Sequence, residues 1–260
     1  MKITAPTPIQ KMTKNKPLAT ALKISLTTLL FLSQATTHAH AASKNAKSGF
    51  LDFNIYPYLS DVDDDSVVTI NIGAKLANGF SYFSLTNFGS QKNAGELNDT
   101  TTYYTEQNLR WAVNDLPIDL TVQANFRTGE DNDRHRLGFR WRLNDTQSFK
   151  SFFNYLNLSY AINFHIIQFD DQDENIWQIE HSFRLTAPSL SNRLYLAGFA
   201  DHTFNEDLPS GFPANPIVAE VQLGYRLIEN FYAVTEYRLN EYRREDVNNL
   251  AVGVEYKMRW

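Results

Sequence analysis

The stretch NLAVGVEYKMRW, residues 249–260, places Leu250, Val252, Val254, Tyr256, Met258 and Trp260 at every second position, with Ala251, Gly253, Glu255, Lys257 and Arg259 between them. A period of two belongs to an extended strand whose two faces differ in chemistry. The fold therefore turns on which of those faces meets water.

The same period recurs upstream. It predicts about twelve strands: Phe50–Leu59, Val67–Leu76, Phe80–Phe88, Thr102–Ala112, Ile118–Thr128, Arg136–Leu143, Phe153–Phe169, Ile176–Thr186, Arg193–Phe204, Ile217–Leu227, Phe231–Glu241 and Leu250–Trp260. Most approach the ~9 to 11 residues that a tilted strand needs to cross a bilayer. No sustained 3.6-residue apolar period is read beyond Gly49. The links alternate in kind. Short ones (LANG at 76–79, VNDLP at 113–117, IEN at 228–230) follow even-numbered strands. Longer polar ones follow odd-numbered strands, including DVDDDS at 61–66, GSQKNAGELNDTT at 89–101, DDQDEN at 170–175 and NEDLPSGFPANP at 205–216. NDTQSFKS, between strands six and seven, is a long exception. Short periplasmic turns and long external loops are the wiring of bacterial outer-membrane barrels. A two-sheet sandwich gives no reason for that alternation, and side chains could not fill the wide bore of a soluble twelve-stranded barrel.

The tryptophans set the orientation. Trp111, Trp141, Trp177 and Trp260 all fall on the apolar register, three of them at predicted periplasmic strand ends. Indole favours the headgroup level, so these positions read as aromatic girdles on a lipid-facing exterior. The expected fold class is therefore all-β, a transmembrane antiparallel up-and-down barrel of about twelve strands in a bacterial outer membrane. An even strand count puts both ends of the barrel on the periplasmic side.

Targeting agrees. Lysines at 11, 14, 16 and 23 precede the apolar run ISLTTLLFL (24–32), and small residues follow to Ala41. Residues 1–41 read as a secretory signal, with initiation at Met1 or Met12, and residues 42–260 as the barrel. The net charge of −5 argues against a nucleic-acid partner. The mean hydropathy of −0.39 is compatible with spanning strands, whose two faces average out. The absence of cysteine excludes disulfides and thiolate metal sites.

With the polar register inward, the lumen gains carboxylates and an excess of arginine, beside rings at Tyr56, Tyr82, Phe88, Tyr104, Tyr195 and Phe199. Rings next to ions suit a small polar solute that stacks on one group and hydrogen-bonds to another. The expected pore-lining, solute-binding residues are Tyr82, Tyr104, Glu106, Arg136, Arg140, Phe199, Asp201 and Arg238. The terminal W-x-M-x-Y, read backwards, resembles the carboxy-terminal signature of outer-membrane barrels, with Trp260 where phenylalanine is usual, and implies recognition by the barrel-assembly machinery. YYTEQNLRW (103–111), WQIEHSFRL (177–185) and LAGFADHTF (196–204) resemble strands of the nucleoside-specific channel-forming (Tsx-like) outer-membrane family. That resemblance implies a monomeric twelve-stranded barrel passing nucleosides by diffusion, with Glu106, Phe199 and Asp201 on matching positions.

Enzymatic chemistry finds no footing in the sequence. His135, His165 and the Asp201-His202-Thr203 run are the candidates, but none forms a recognisable lipase motif, because no His-x-Ser pairs a base with a nucleophile on one strand face, and Asp201 and His202 point oppositely. DVDDDS lacks the glycine and glutamate of a calcium loop. The expectation is thus a channel for facilitated diffusion of small polar solutes, with nucleosides as the first guess, no catalytic or metal residues and no cofactor. Its partners are membrane lipid, lipopolysaccharide and solute. A lipid-modifying barrel hydrolase and a closed structural barrel are the alternatives.

Overall fold

The computed structural model describes residues 48–55, 65–90, 100–129, 132–169 and 175–260. The expected signal segment, Tyr56 and most of the acidic loops at 61–66, 89–101 and 170–175 lie outside them.

Twelve strands form one closed antiparallel barrel in which each pairs with its sequence neighbours and β1 seals against β12. They are β1 Gly49–Ile55, β2 Asp65–Lys75, β3 Phe80–Ser90, β4 Thr100–Ala112, β5 Ile118–Arg127, β6 Arg134–Arg142, β7 Leu158–Phe169, β8 Trp177–Thr186, β9 Leu194–Phe204, β10 Ile217–Ile228, β11 Phe231–Asn240 and β12 Asn248–Arg259. On the side of Gly49 and Trp260 the links after β2, β4 and β10 are short and those after β6 and β8 longer, and an Asn or Asp enters the left-handed region at Asn78 (φ 58°), Asp115 (φ 61°), Asn157 (φ 52°) and Asn230 (φ 63°). These side chains tolerate that backbone and hydrogen-bond locally, which is why they mark the reversals.

Exposure settles the orientation. On β12, Leu250, Val252, Val254, Tyr256 and Met258 are between 37% and 43% exposed, whereas Ala251 and Glu255 are 0% exposed. β5 repeats this, with Leu120 and Val122 outside and Asp119, Thr121, Gln123 and Asn125 buried. Apolar outside and polar inside is the arrangement of a membrane barrel, since hydrocarbon surrounds the wall and only closure satisfies every strand edge. The strand count, alternating connections and exterior together are those of a bacterial outer-membrane protein. Trp111 and Trp260 lie on the exterior at the periplasmic rim, and Trp177 stacks on Phe204 at 4.1 Å near the external rim.

Two expectations need correction. The segment read as the start of strand seven is a short helix, α1 (Lys150–Leu156), and β7 begins only at Leu158. Phe149, Phe152, Phe153 and Leu156 carry a helical spacing too brief to stand out beside the period-two run that follows. The second concerns β3. Ser84 pairs with Gln107 and Leu85 with Glu106, so the even positions of β3 share a face with exposed Leu109, and Tyr82 and Phe88 face lipid, not the lumen.

A bulge between Leu137 and Gly138 completes the wall. A Cβ on Gly138 would lie 1.9 Å from the Phe164 carbonyl oxygen, so only glycine fits there. The extra β7 residue turns both His165 and Gln168 inward, where Gln168 accepts from Arg136 Nε at 2.6 Å.

Candidate functional site

The lumen is built from the inward register of all twelve strands, and its arginine excess is concentrated on one side. The inward faces of β4, β5 and β6 carry Arg110, Arg127, Arg136, Arg140 and Arg142, with Glu106 and Asp119 among them. Those of β8 to β12 carry Glu180, Asp201, Glu220, Glu236 and Glu255, interleaved with Arg184, Arg226, Arg238, Lys257 and Arg259. The β4–β6 wall is therefore predominantly basic, whereas the β8–β12 wall carries both signs in balance.

Near the periplasmic rim both walls are pinned by ion pairs. Asp119 accepts from Arg140 at 2.6 and 2.8 Å and from Arg142, which also donates to Asp145 at 2.7 Å. Across the lumen Lys257 sits 2.7 Å from Asp52 and also binds Glu255, which accepts from the Tyr195 hydroxyl. Gly224 makes room for that phenol, because a Cβ there would lie 2.1 Å from the Tyr195 ring. Arg184 covers the ring at 3.9 Å, and Gln222 donates to Asn54 at 3.0 Å, so side chains reach over intervening strands and narrow the passage.

At mid-height the contacts are looser and dominated by amides. Glu106 accepts from Asn108 at 2.6 Å and from Tyr104 at 3.2 Å. Gln123 donates to Asn108 at 3.3 Å and accepts from Arg136 at 2.8 Å. His165 Nε2 lies 3.4 Å from Gln123 and 3.3 Å from Glu180. Several buried polar atoms here have no hydrogen-bond partner among the described residues: both amide atoms of Asn163, His165 Nδ1, Asp201 Oδ1, Asn125 Oδ1 and Thr121 Oγ1. A buried polar atom left unpaired costs about 1–3 kcal/mol, so this belt is chemically suited to hold water or a polar solute.

The external mouth is clamped by loops. Glu206, on the loop after β9, is buried and accepts from Arg134 and from Tyr242 of the β11–β12 loop. Burial and the hydrogen bond to Glu206 push the Tyr242 phenol up to about 12. A cavity of about 440 Å³ opens beside it, lined by Ser210, Gly211, Pro213, Glu241, Arg243, Arg244 and Val247.

Of the expected pore residues, Tyr104, Glu106 and Arg136 come together through Asn108 and Gln123. Asp201 and Phe199 face inward opposite Glu180 and Ser182. Arg140 is held by Asp119 at the periplasmic end, and Arg238 pairs with Glu220 nearer the external one. Tyr82 is not in the lumen: its hydroxyl donates to Gln107 on the outer wall. Of the six expected lumenal rings, Tyr104, Tyr195 and Phe199 face in, joined by Phe83 under Arg110 at 5.8 Å. The neutral amides Asn108, Gln123 and Asn163 escaped sequence reasoning. Their signal was position alone, on a polar register between outward apolar residues. His165 is buried inward, and His202 lies on the outer face, turned away from Asp201.

No family model matches the chain, and no curated protein matches its sequence. Solved structures do. The NanC porin is 12% identical with a TM-score of 0.51, the alignment covering 82% of this chain and 100% of that one. The KdgM porin is 14% identical with a TM-score of 0.44, covering 80% and 98%. An outer-membrane channel from Pseudomonas putida F1 is 9% identical with a TM-score of 0.40, covering 85% and 97%. At such identities the likeness to NanC speaks for the fold, a twelve-stranded closed barrel here, and for nothing finer.

Proposed function

We propose that the barrel is a passive outer-membrane channel for small polar solutes. The observation that carries this is the mid-lumen belt, where Asn163, His165 and Asp201 present unpartnered buried polar atoms among lumenal charges of both signs. A solute crossing there trades part of its hydration shell for weak contacts to Arg136, Glu106, Tyr104 and Asp201, none strong enough to trap it. Nucleosides, the finer reading, fit through Phe199 and Tyr104 as stacking partners, although Tyr82 and Phe88, two of the rings expected in the lumen, lie outside it.

The links Tyr195–Glu255 and Gln222–Asn54 favour a second reading, a barrel closed at its periplasmic end. Planar-bilayer recording separates the two. Discrete conductance steps, reduced by a solute series of zwitterionic amino acids, adenosine and thymidine, are the expected result. A folded barrel that inserts and remains electrically silent overturns the channel. Conductance indifferent to adenosine and thymidine yet reduced by zwitterions removes the nucleoside reading alone.

A further inference from the structure

On the outer wall, the linker from β6 to β7 carries α1 against the barrel. Phe149 meets Trp141 at 6.2 Å, and Phe153 stacks on Tyr160 at 6.1 Å with the ring planes 11° apart. Trp141 donates through Nε1 to Thr146 Oγ1 at 2.8 Å, fixing the entry to the helix. Trp141 and Tyr160 belong to the exterior register, so α1 lies outside the strands at the periplasmic rim. At about 100° per residue, Phe149, Phe153 and Leu156 form the barrel-facing stripe, Phe152 and Tyr155 one flank, and Lys150, Ser151 and Asn154 the opposite side. The aromatic flank is left uncovered: Phe152 is 59% exposed and Tyr155 84% exposed.

From this amphipathic placement we propose that α1 is an interfacial anchor, its Phe152–Tyr155 flank inserted into the phospholipid of the periplasmic leaflet and its Lys150 side at the headgroups and water. The argument for lipid rather than a protein partner is continuity. The same rim exposes Leu76, Leu116, Leu190, Ile228 and Trp260, one large apolar group at each other periplasmic turn and at the end of β12, so α1 extends a belt that already faces hydrocarbon. A flank carrying Tyr, with its polar tip, beside Phe suits the boundary between tails and headgroups. The inference stands whether or not the lumen conducts.

The cysteine-free chain permits a direct test. Single variants Ser151→Cys, Phe152→Cys, Asn154→Cys and Tyr155→Cys, spin-labelled in phospholipid vesicles, are compared for collision with oxygen, which partitions into tails, and with a neutral nickel chelate, which stays in water. The expected result is oxygen dominance at 152 and 155 and nickel dominance at 151 and 154. Nickel dominance at all four sites places the helix in water and overturns the anchor. Shielding of 152 and 155 from both reagents shows a protein covering the flank and also overturns it. A loss of the contrast between the two sides means the helix is not held in this pose, with the same consequence.

Discussion

β12 and β3 are strands of similar length in the same wall, yet they are built on opposite plans. β12 keeps ions inside and hydrocarbon outside, with Glu255 and Lys257 in the lumen and Val252, Val254 and Tyr256 facing lipid. β3 turns Phe83 and Leu85 inward and places Tyr82, Ser84 and Thr86 outside. The exterior polar groups satisfy one another: Tyr82 donates to Gln107, Gln107 to Thr105 at 2.6 Å, Thr105 to the Leu85 carbonyl at 3.0 Å, and Thr86 lies 2.9 Å from Thr105. A polar group facing hydrocarbon is tolerated when its hydrogen bonds close locally. Thus what the wall requires is satisfied polar chemistry on each face, and an apolar exterior is one way of meeting that demand.

The largest test of this contrast is on the ionic side. Lys257→Met leaves Asp52 and Glu255 in the lumen without their shared cation, and a loss of ~3–5 kcal/mol is expected in urea unfolding from detergent micelles. An unchanged midpoint would mean that the cluster is freely hydrated. On the lipid side of the same strand, Val252→Arg at mid-wall is expected to cost ~2–4 kcal/mol in vesicle-based unfolding. At the external end of the β11–β12 hairpin, Tyr242→Phe removes the phenol's bond to Glu206, a loss of roughly 1.5 kcal/mol. Because the folded phenol holds its proton more tightly than the ordinary value of 10.0, its contribution is complete below pH 10 and fades as pH rises through about 12. Stability profiles of wild type and Tyr242→Phe should therefore converge in that window. The smallest effect is expected on β3–β4, where Thr86→Val removes one hydroxyl with little change of shape while Thr105 keeps its bonds to Gln107 and the Leu85 carbonyl. It should stay within about 1 kcal/mol of wild type, against the much larger penalty at Val252.

These strands also show what could be read in advance. β5, β6, β10 and β12 advertise themselves because their two faces differ sharply, and the four tryptophans fix the outward one. β3 has rings on both faces and small hydroxyls outside, so alternation alone could not say which way Tyr82 points; its neighbour Glu106, opposite Leu85, decides it. Helix α1 was hidden by Phe152 and Leu156 running in register with Leu158, Tyr160, Ile162 and Phe164 of the strand that follows. The lumenal charges were legible as a set, yet their pairing was not, since Asp119 with Arg140 and Tyr195 with Glu255 depend on strand register and on the reach of side chains over neighbouring strands. The amides of the mid-lumen belt carry no compositional signal at all.

Mutual hydrogen bonds between Gly49 and Trp260, 3.0 and 3.2 Å long, join residues almost the whole described chain apart. Every other seam in the wall joins consecutive strands and can zip from its own turn, whereas this one must await all of them. Pairing these two strands closes the longest loop in the wall and so carries its largest closure entropy, and until they meet β1 and β12 both present raw edges to any passing strand. Such a chain is most exposed to aggregation just before it is finished, which makes the terminal residues a kinetic safeguard as much as a structural one.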